Sequence, residues 1–266
     1  MGIKDHRKEK LEDKEFDSDV TESFERKELV RLFAVGITFT GVVFKQAVLV
    51  NCYFRNCTFI RCDFTGTQIK DCNLKGSSFE ACQFRYTSWE KTILDEDFLD
   101  RCLPPEENLA RDLVRSLRVN FAQIGNYDAV NKAAAIEVAL TGEHLYNAAY
   151  SRQGYYRSWP KYQGINRLRY VGQHLRWKAL DLLWGNGESI LRVLLSGAVA
   201  IGAAAALLVN LTTNLQYLDA LSLCFLTFWG LATQPNPLAL TVALTMCRFV
   251  LFGLFMAIVV KRLSRR

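Results

Sequence analysis

The sequence predicts a mixed fold in three parts: a stacked solenoid, an α-helical linker, and two apolar helices with a shorter one between them. Three observations predict it. Large apolar residues recur at every fifth position from Phe39 to Trp89, a period that neither a helix nor a strand produces. Beyond Pro104–Pro105, up to Trp184, the pattern becomes that of amphipathic helices. Between Val193 and Cys247 the chain carries one charged residue, Asp219. With 50% hydrophobic residues and a net charge of +6, the composition looks ordinary until the charges are located. Almost all lie before residue 190 or in the terminal KRLSRR.

Residues 1–31 hold both signs of charge and few apolar side chains, and are expected to form a charged tail. The opening MGIKDHRKEKLEDKEF has no apolar core, so no signal peptide is expected; MGIKDH also lacks the Ser/Thr of a myristoylation signal. The periodic stretch follows, with Phe39, Phe44, Leu49, Phe54, Phe59, Phe64, Ile69, Leu74, Phe79, Phe84 and Trp89 each five apart. Two positions before each stands a mostly small residue, such as Ala47, Cys52, Cys57, Cys62, Thr67, Cys72 and Ser77. A fixed repeat means stacked units, each burying its apolar residue against its neighbours. The pattern, as in CTFIR-CDFTG and CNLKG-SSFEA, resembles the pentapeptide-repeat family. That resemblance implies a right-handed quadrilateral β-helix, one repeat per side, with the large and the small residue both pointing inward. Eleven repeats would make just under three coils, within a domain drawn at 32–94.

Five cysteines occupy the small inward position, where Thr and Ser alternate with them. Their spacing admits a metal cluster, but no histidine lies nearby; His6, His144 and His174 are isolated. Inert core thiols are expected, with no metal and no cofactor. Residues 37–92 carry seven Lys/Arg against four Asp/Glu, which argues against the acidic, DNA-imitating surface of some pentapeptide proteins.

Residues 95–186 are read as an α-helical linker, with helices over 106–122 and 127–151 and a turn at Gly125–Asn126. A third helix, Gln163–Trp184, is basic and aromatic, which suits the headgroup layer beside a membrane span. The same residues admit RNA binding, but membrane proximity explains them without it, and no nucleic-acid partner is expected.

Residues 190–209 and 237–260 are apolar and long enough to cross a bilayer, which takes roughly 17–25 residues. Leu218–Trp229 is too short and has the length of a re-entrant helix. Lys and Arg flank both long segments, whereas their connection carries none. The positive-inside rule then places both termini in the cytoplasm, with the chain multi-pass in the cell (inner) membrane. Half-helices survive at membrane depth only when buried in protein or lining a wet cavity. One chain with two spans is too small to supply that burial, so several subunits are expected to surround the segment.

Residues 189–263 resemble the two-transmembrane pore-loop ion channels of the potassium-channel superfamily. The matching residues are Leu218-Asp219-Ala220-Leu221 and Leu226-Thr227-Phe228 for the pore helix, and Phe252-Gly253-Leu254-Phe255 and Val260-Lys261-Arg262-Leu263 for the inner helix. The connector Arg118–Tyr150 resembles that of bacterial proteins joining pentapeptide repeats to such a pore. The resemblance implies a homotetramer with a pore domain at 187–262, a basic tail at 263–266, and the second span lining the pore. The filter would comprise Thr227, Phe228, Trp229, Gly230, Leu231, Ala232, Thr233 and Gln234. Asp219 would start the pore helix, and Thr241, Thr245, Arg248 and Phe252 would line the inner helix.

The filter departs from its family. The signature Thr-Thr-Val/Leu-Gly-Tyr/Phe-Gly-Asp falls on Trp229-Gly230-Leu231-Ala232-Thr233-Gln234-Pro235, and only the Leu231 position is kept. A potassium filter aims backbone carbonyls at a dehydrated ion, and its glycines allow the backbone angles this requires. Ala232 and Gln234 stand where those glycines would be, so potassium selectivity is not expected. Arg248 lies 13 residues, about 20 Å of helix, before Lys261, too far to reach the headgroups. It continues a polar stripe with Thr241 and Thr245. Two placements are open: Arg248 lines the pore and favours anions, or it pairs with Asp219 or the carbonyl end of a pore helix.

The chain is therefore expected to be a non-enzymatic pore-forming subunit whose partners are the membrane, its own copies and a permeating inorganic ion. The repeat domain would serve assembly or gating through an unidentified ligand or protein. A membrane-anchored scaffold without conductance is the alternative. No phosphate-binding loop, Ser-His-Asp arrangement or metal motif points to an enzyme.

Overall fold

The computed structural model describes residues 8–212, 215–232 and 237–263. They divide into two compact units, 1–147 and 148–266.

The first unit is a parallel β-solenoid closed by helices. Its strands are three residues long and hold one inward residue between two outward ones, as at β7 (Thr58–Ile60), where only Phe59 is buried. One side stacks β1 (Lys10–Glu12), β2 (Glu28–Val30), β5 (Val48–Val50), β8 (Gln68–Lys70) and β10 (Ser88–Glu90). A second pairs β3 (Phe33–Val35) with β6 (Tyr53–Arg55), and a third stacks β4 (Thr38–Thr40), β7 and β9 (Ser78–Glu80). The fourth is held by the bridges Val43–Asp63 and Asp63–Gln83. Leu49 registers with Ile69 and Ile69 with Trp89, so one coil takes four five-residue repeats.

The coil rise and ring stacking coincide. Phe39, Phe59 and Phe79 stack at 4.8 and 5.0 Å between centroids, and Phe44, Phe64 and Phe84 at 4.7 and 4.9 Å. Neighbouring strands stand about 4.7–4.9 Å apart, so identical residues one coil apart meet face to face without adjustment. The small inward position has its own rule. Thr67 Oγ1 donates to Phe44 O at 2.7 Å, Ser77 Oγ to Phe54 O at 2.8 Å, and Thr87 Oγ1 to Phe64 O at 3.0 Å. The thiols of Cys52, Cys57, Cys62 and Cys82 make the same contact to Leu29, Ala34, Phe39 and Phe59. Each donor reaches a carbonyl 23 residues back, which is why Cys, Ser and Thr share one register. All eight cysteines are free, and no metal-binding group of His, Cys, Asp or Glu occurs among the described residues.

The expected charged tail over 1–31 is corrected from residue 8 onward. Leu11 pairs with Leu29 in a parallel ladder, and Glu15 and Val20 bridge to Phe33 and Phe39. Val20, Phe24 and Leu29 are buried, and Phe24 stacks on Phe44 at 5.5 Å. These residues add a coil below the one expected at Ile37, so the solenoid boundary drawn at residue 32 is also moved. The charges that argued for a tail sit on outward positions, where they pair: Arg31 with Asp13 and Glu12, Lys10 with Glu12, and Lys27 with Glu9.

The other end is closed by α1 (Phe98–Arg101) and α2 (Glu107–Gln123). Phe98 packs on Phe79, Phe84 and Trp89. The open strand edge gives its N–H groups to α2: Trp89 N to Ser116 Oγ, Lys91 N to Gln123 Oε1, and Thr92 N to Asn120 Oδ1. Asn120 returns its amide to Thr92 O at 2.8 Å. An unpaired edge is thereby converted into a satisfied one. Gly125, in the left-handed region at φ 77°, makes the turn into α3 (Tyr127–Tyr150).

The region read as one linker over 95–186 is thus divided: α1, α2 and most of α3 belong to the first unit. The second begins at the end of α3, where Arg157 donates to Ser151 O and Ala148 O and Arg167 to Ala149 O. It contains α4 (Gly154–Ser158), α5 (Ile165–Trp184), α6 (Ile190–Leu211), α7 (Tyr217–Trp229) and α8 (Leu238–Leu263).

Two measurements check the solenoid. Phe59→Ala removes a fully buried ring stacked on both sides and is expected to cost about 3–5 kcal/mol of stability in urea unfolding of the whole chain. Burial pushes the Cys57 thiol up and the Cys102 thiol up to about 12, leaving little thiolate at about pH 8. Alkylation of the buried Cys57 and Cys102 at that pH should therefore follow global unfolding, whereas their rapid native-state labelling would contradict the packing.

Candidate membrane-embedded site

The helices α6 and α8 are long and apolar enough to cross a membrane, although length and composition alone do not put them in one. Little of either is covered: 33% of the most apolar window in α6 and 17% in α8 are buried. The core of a soluble protein would hide such helices, whereas here leucines, valines and phenylalanines stand exposed along both.

Between them lies α7, thirteen residues long and packed on both. Its buried face is Ala220, Cys224, Thr227 and Phe228. Small residues on α6 admit it, with Ala204 and Ala205 buried in the same cluster. At Gly197 an added Cβ would already touch Leu251 at 3.6 Å and Phe228 at 4.0 Å. The Tyr217 hydroxyl fixes the start of α7 by donating to Gly202 O at 3.4 Å. Asp219 lies exposed in the first turn, where a carboxylate complements the positive end of the helix dipole.

Gly230 ends α7. It is left-handed at φ 77° and ψ 23°, its N–H bonds Thr227 O at 3.0 Å, and Leu231 N bonds Leu226 O at 2.8 Å. This glycine termination satisfies the last carbonyls. Arg248 from α8 lies against that same end. A Cβ built on Gly230 would be 2.8 Å from Arg248 Nη1. Asp219 and Gly230 are 11 residues apart, about 16 Å along α7, so the structure brings Arg248 to the carbonyl end and not to Asp219. The helix macrodipole places roughly half a negative charge there.

The remaining expected residues are spread around this contact. Thr227 is buried and donates to Leu223 O at 2.7 Å; Phe228 is buried; Trp229, Leu231 and Ala232 are exposed. Thr233 and Gln234 lie outside the described residues, as do Pro235 and residues 264–266 of the basic tail. Thr241, Thr245 and Arg248 are half-buried on α8, and Phe252 is exposed.

Sequence reasoning missed the ion pairs at the opposite end of the unit. It gives the flanking Lys and Arg only a topological meaning, yet Lys261 pairs with Glu188 and donates to Gly187 O, and Arg262 donates to Glu188 O at 2.9 Å. Arg192 pairs with Asp181 at 2.5 Å. The Lys261 and Arg262 contacts hold the start of α6 beside the end of α8, and the Arg192 pair ties α6 to α5. The only sequence signal was the lone carboxylates Asp181 and Glu188 within a basic stretch.

Comparison with known proteins bears on the solenoid. Residues 36–103 match the family model described as a pentapeptide repeat region. That stretch of the solenoid is a pentapeptide repeat region. Two solved structures are similar to the chain. One is a pentapeptide repeat protein from the thylakoid lumen of Arabidopsis thaliana, at 16% identity over 42% of this chain and 92% of that one, TM-score 0.17. The other is QnrB1, a plasmid-mediated fluoroquinolone resistance protein, at 14% identity over 32% of this chain and 53% of that one, TM-score 0.13. No curated protein matches. The family match ends before the apolar helices, so the likeness covers residues 36–103, and the two helices of membrane-spanning length lie outside it.

The packing at Gly230 predicts a coupling. Gly230→Ala should destabilise the protein through both the left-handed backbone and the clash with Arg248. In the Arg248→Ala background only the backbone strain, about 1 kcal/mol, should remain. Equal losses in both backgrounds, read as melting temperatures in detergent, would place Arg248 elsewhere.

Proposed function

We propose that this pentapeptide-repeat protein is the pore-forming subunit of a homotetrameric ion channel in the cell membrane. Both termini face the cytoplasm, and the solenoid serves assembly or gating. The observation that carries the reading is α7, an apolar helix too short to cross a bilayer, held between two helices that are long enough. Its carboxyl end is irregular backbone, which at membrane depth needs surrounding protein or a wet cavity. Neighbouring copies of α7 and α8 would supply both.

The pore is not potassium-selective in this reading. Arg248 places a full positive charge against about half a negative one at the end of α7. The excess favours anions, as rings of basic side chains do in anion pores.

The test is the reversal potential of the purified protein in a planar bilayer under a KCl gradient. It should lie near the chloride equilibrium in the wild type and move away from it in Arg248→Ala. A wild-type value at the potassium equilibrium would overturn the selectivity. No unitary current under any condition would favour a membrane-anchored scaffold.

A further inference from the structure

The helix α5 has no buried residue, yet its exposed side is apolar. Ile165, Leu168, Leu175 and Leu182 are 86, 71, 59 and 77% exposed. Their spacings of three and seven place them on one face at about 3.6 residues per turn. The same geometry sets Arg169 and Arg176 along one edge of that face and Arg167 and Lys178 along the other. The aromatic side chains point away from it. Tyr170 packs on Tyr162 at 5.2 Å, His174 on Tyr150 at 5.5 Å, and His174 stacks near Trp177. The aromatic character of this segment is thus spent within the unit, and the leucine stripe is what remains outside.

We infer that α5 lies in the headgroup layer of the bilayer, with its leucine stripe inserted and its basic edges binding anionic phospholipid. Three features argue for this occupant. First, α5 ends where α6 begins. Gly185 stops it in the left-handed conformation at φ 63°, and Ser196 Oγ of α6 donates back to Leu183 O at 2.9 Å. When α6 crosses a membrane, α5 is therefore held at the surface. Second, basic side chains at both borders of an apolar face are the pattern of an interfacial helix, their stems lying along the acyl boundary and their charges among the headgroups. Third, the charge is one-sided. The sole carboxylate on α5, Asp181, is engaged by Arg192. A second copy of α5 would oppose basic edges to basic edges, whereas anionic lipid complements them.

The inference rests on α6 and α8 crossing a membrane and not on conduction, so a non-conducting protein would leave it standing. The experiment uses the full chain with Cys82→Ser and Cys247→Ser, its other cysteines being buried. Spin labels are placed singly at Leu168→Cys, Leu175→Cys, Asn166→Cys and Gln173→Cys, with Val199→Cys on α6 as a control for the span. The protein is reconstituted in vesicles of phosphatidylcholine with or without phosphatidylglycerol. Collision with oxygen against a water-soluble nickel chelate gives the depth. Labels at 168 and 175 should be several-fold more accessible to oxygen than to nickel, and labels at 166 and 173 the reverse. Phosphatidylglycerol should deepen the stripe in the parent chain but not in Arg169→Gln/Arg176→Gln/Lys178→Gln. A lipid-exposed label at 199 with wet labels at 168 and 175 would overturn the inference. So would dipolar broadening between stripe labels, which would show a second copy of α5 instead of lipid. A wet label at 199 would refute the spans themselves.

Discussion

A thirteen-residue helix is about 20 Å long, and the hydrocarbon core of a bilayer is about 30 Å thick. In the proposed membrane placement, that mismatch at α7 governs the second unit. Placed in a bilayer, α7 would need cover along its length because it is apolar, and polar partners at depth for its carboxyl end because it is short. Small residues on α6 provide the first, from Gly197 to the buried Ala204 and Ala205. Gly230 and Arg248 provide the second. The glycine turns the chain back so that the last amides meet the last carbonyls, and the arginine brings charge of the sign that end attracts. Each element is ordinary, but together they leave a stub of helix that one chain does not cover.

The first unit solves the opposite problem. A solenoid buries its interior easily, since each coil presents the same ring to the next, but it leaves an open edge at each end. At the carboxyl end Ser116, Asn120 and Gln123 of α2 meet that edge in register with the strand. A charged first coil lies at the other. Regular sequence builds the middle of this domain, and irregular sequence builds its ends.

This contrast explains what was legible. The middle coils can be read because Phe, Leu and Ile recur without a gap from Phe39 onward. The first coil cannot, although Phe24, Leu29 and Ala34 continue the same five-residue register. Ala34 is small where a large residue is expected, the step from Leu11 to Leu29 is 18 residues and not 20, and surface ion pairs make the composition look like a tail. The helices α6 and α8 announce themselves by length and lack of charge. The position of Arg248 does not, because Thr241, Thr245 and Arg248 define a stripe without saying what it faces. Pairing with Asp219 and pairing with the α7 terminus differ by about three turns of a helix, a distance that no spacing rule on α8 encodes. Likewise the basic and aromatic residues of α5 are visible as a composition, whereas their separation onto different faces depends on what the second unit packs against Tyr170 and His174.

The central claim is that α7 is completed by other copies of the chain. Native mass spectrometry of the full-length protein released from nanodiscs tests it most directly. The predicted result is a dominant species of four 30.3 kDa chains that persists at dilution. A protein that remains monomeric in a lipid environment would contradict it, for then the end of α7 would be met by nothing but Gly230, Arg248 and lipid.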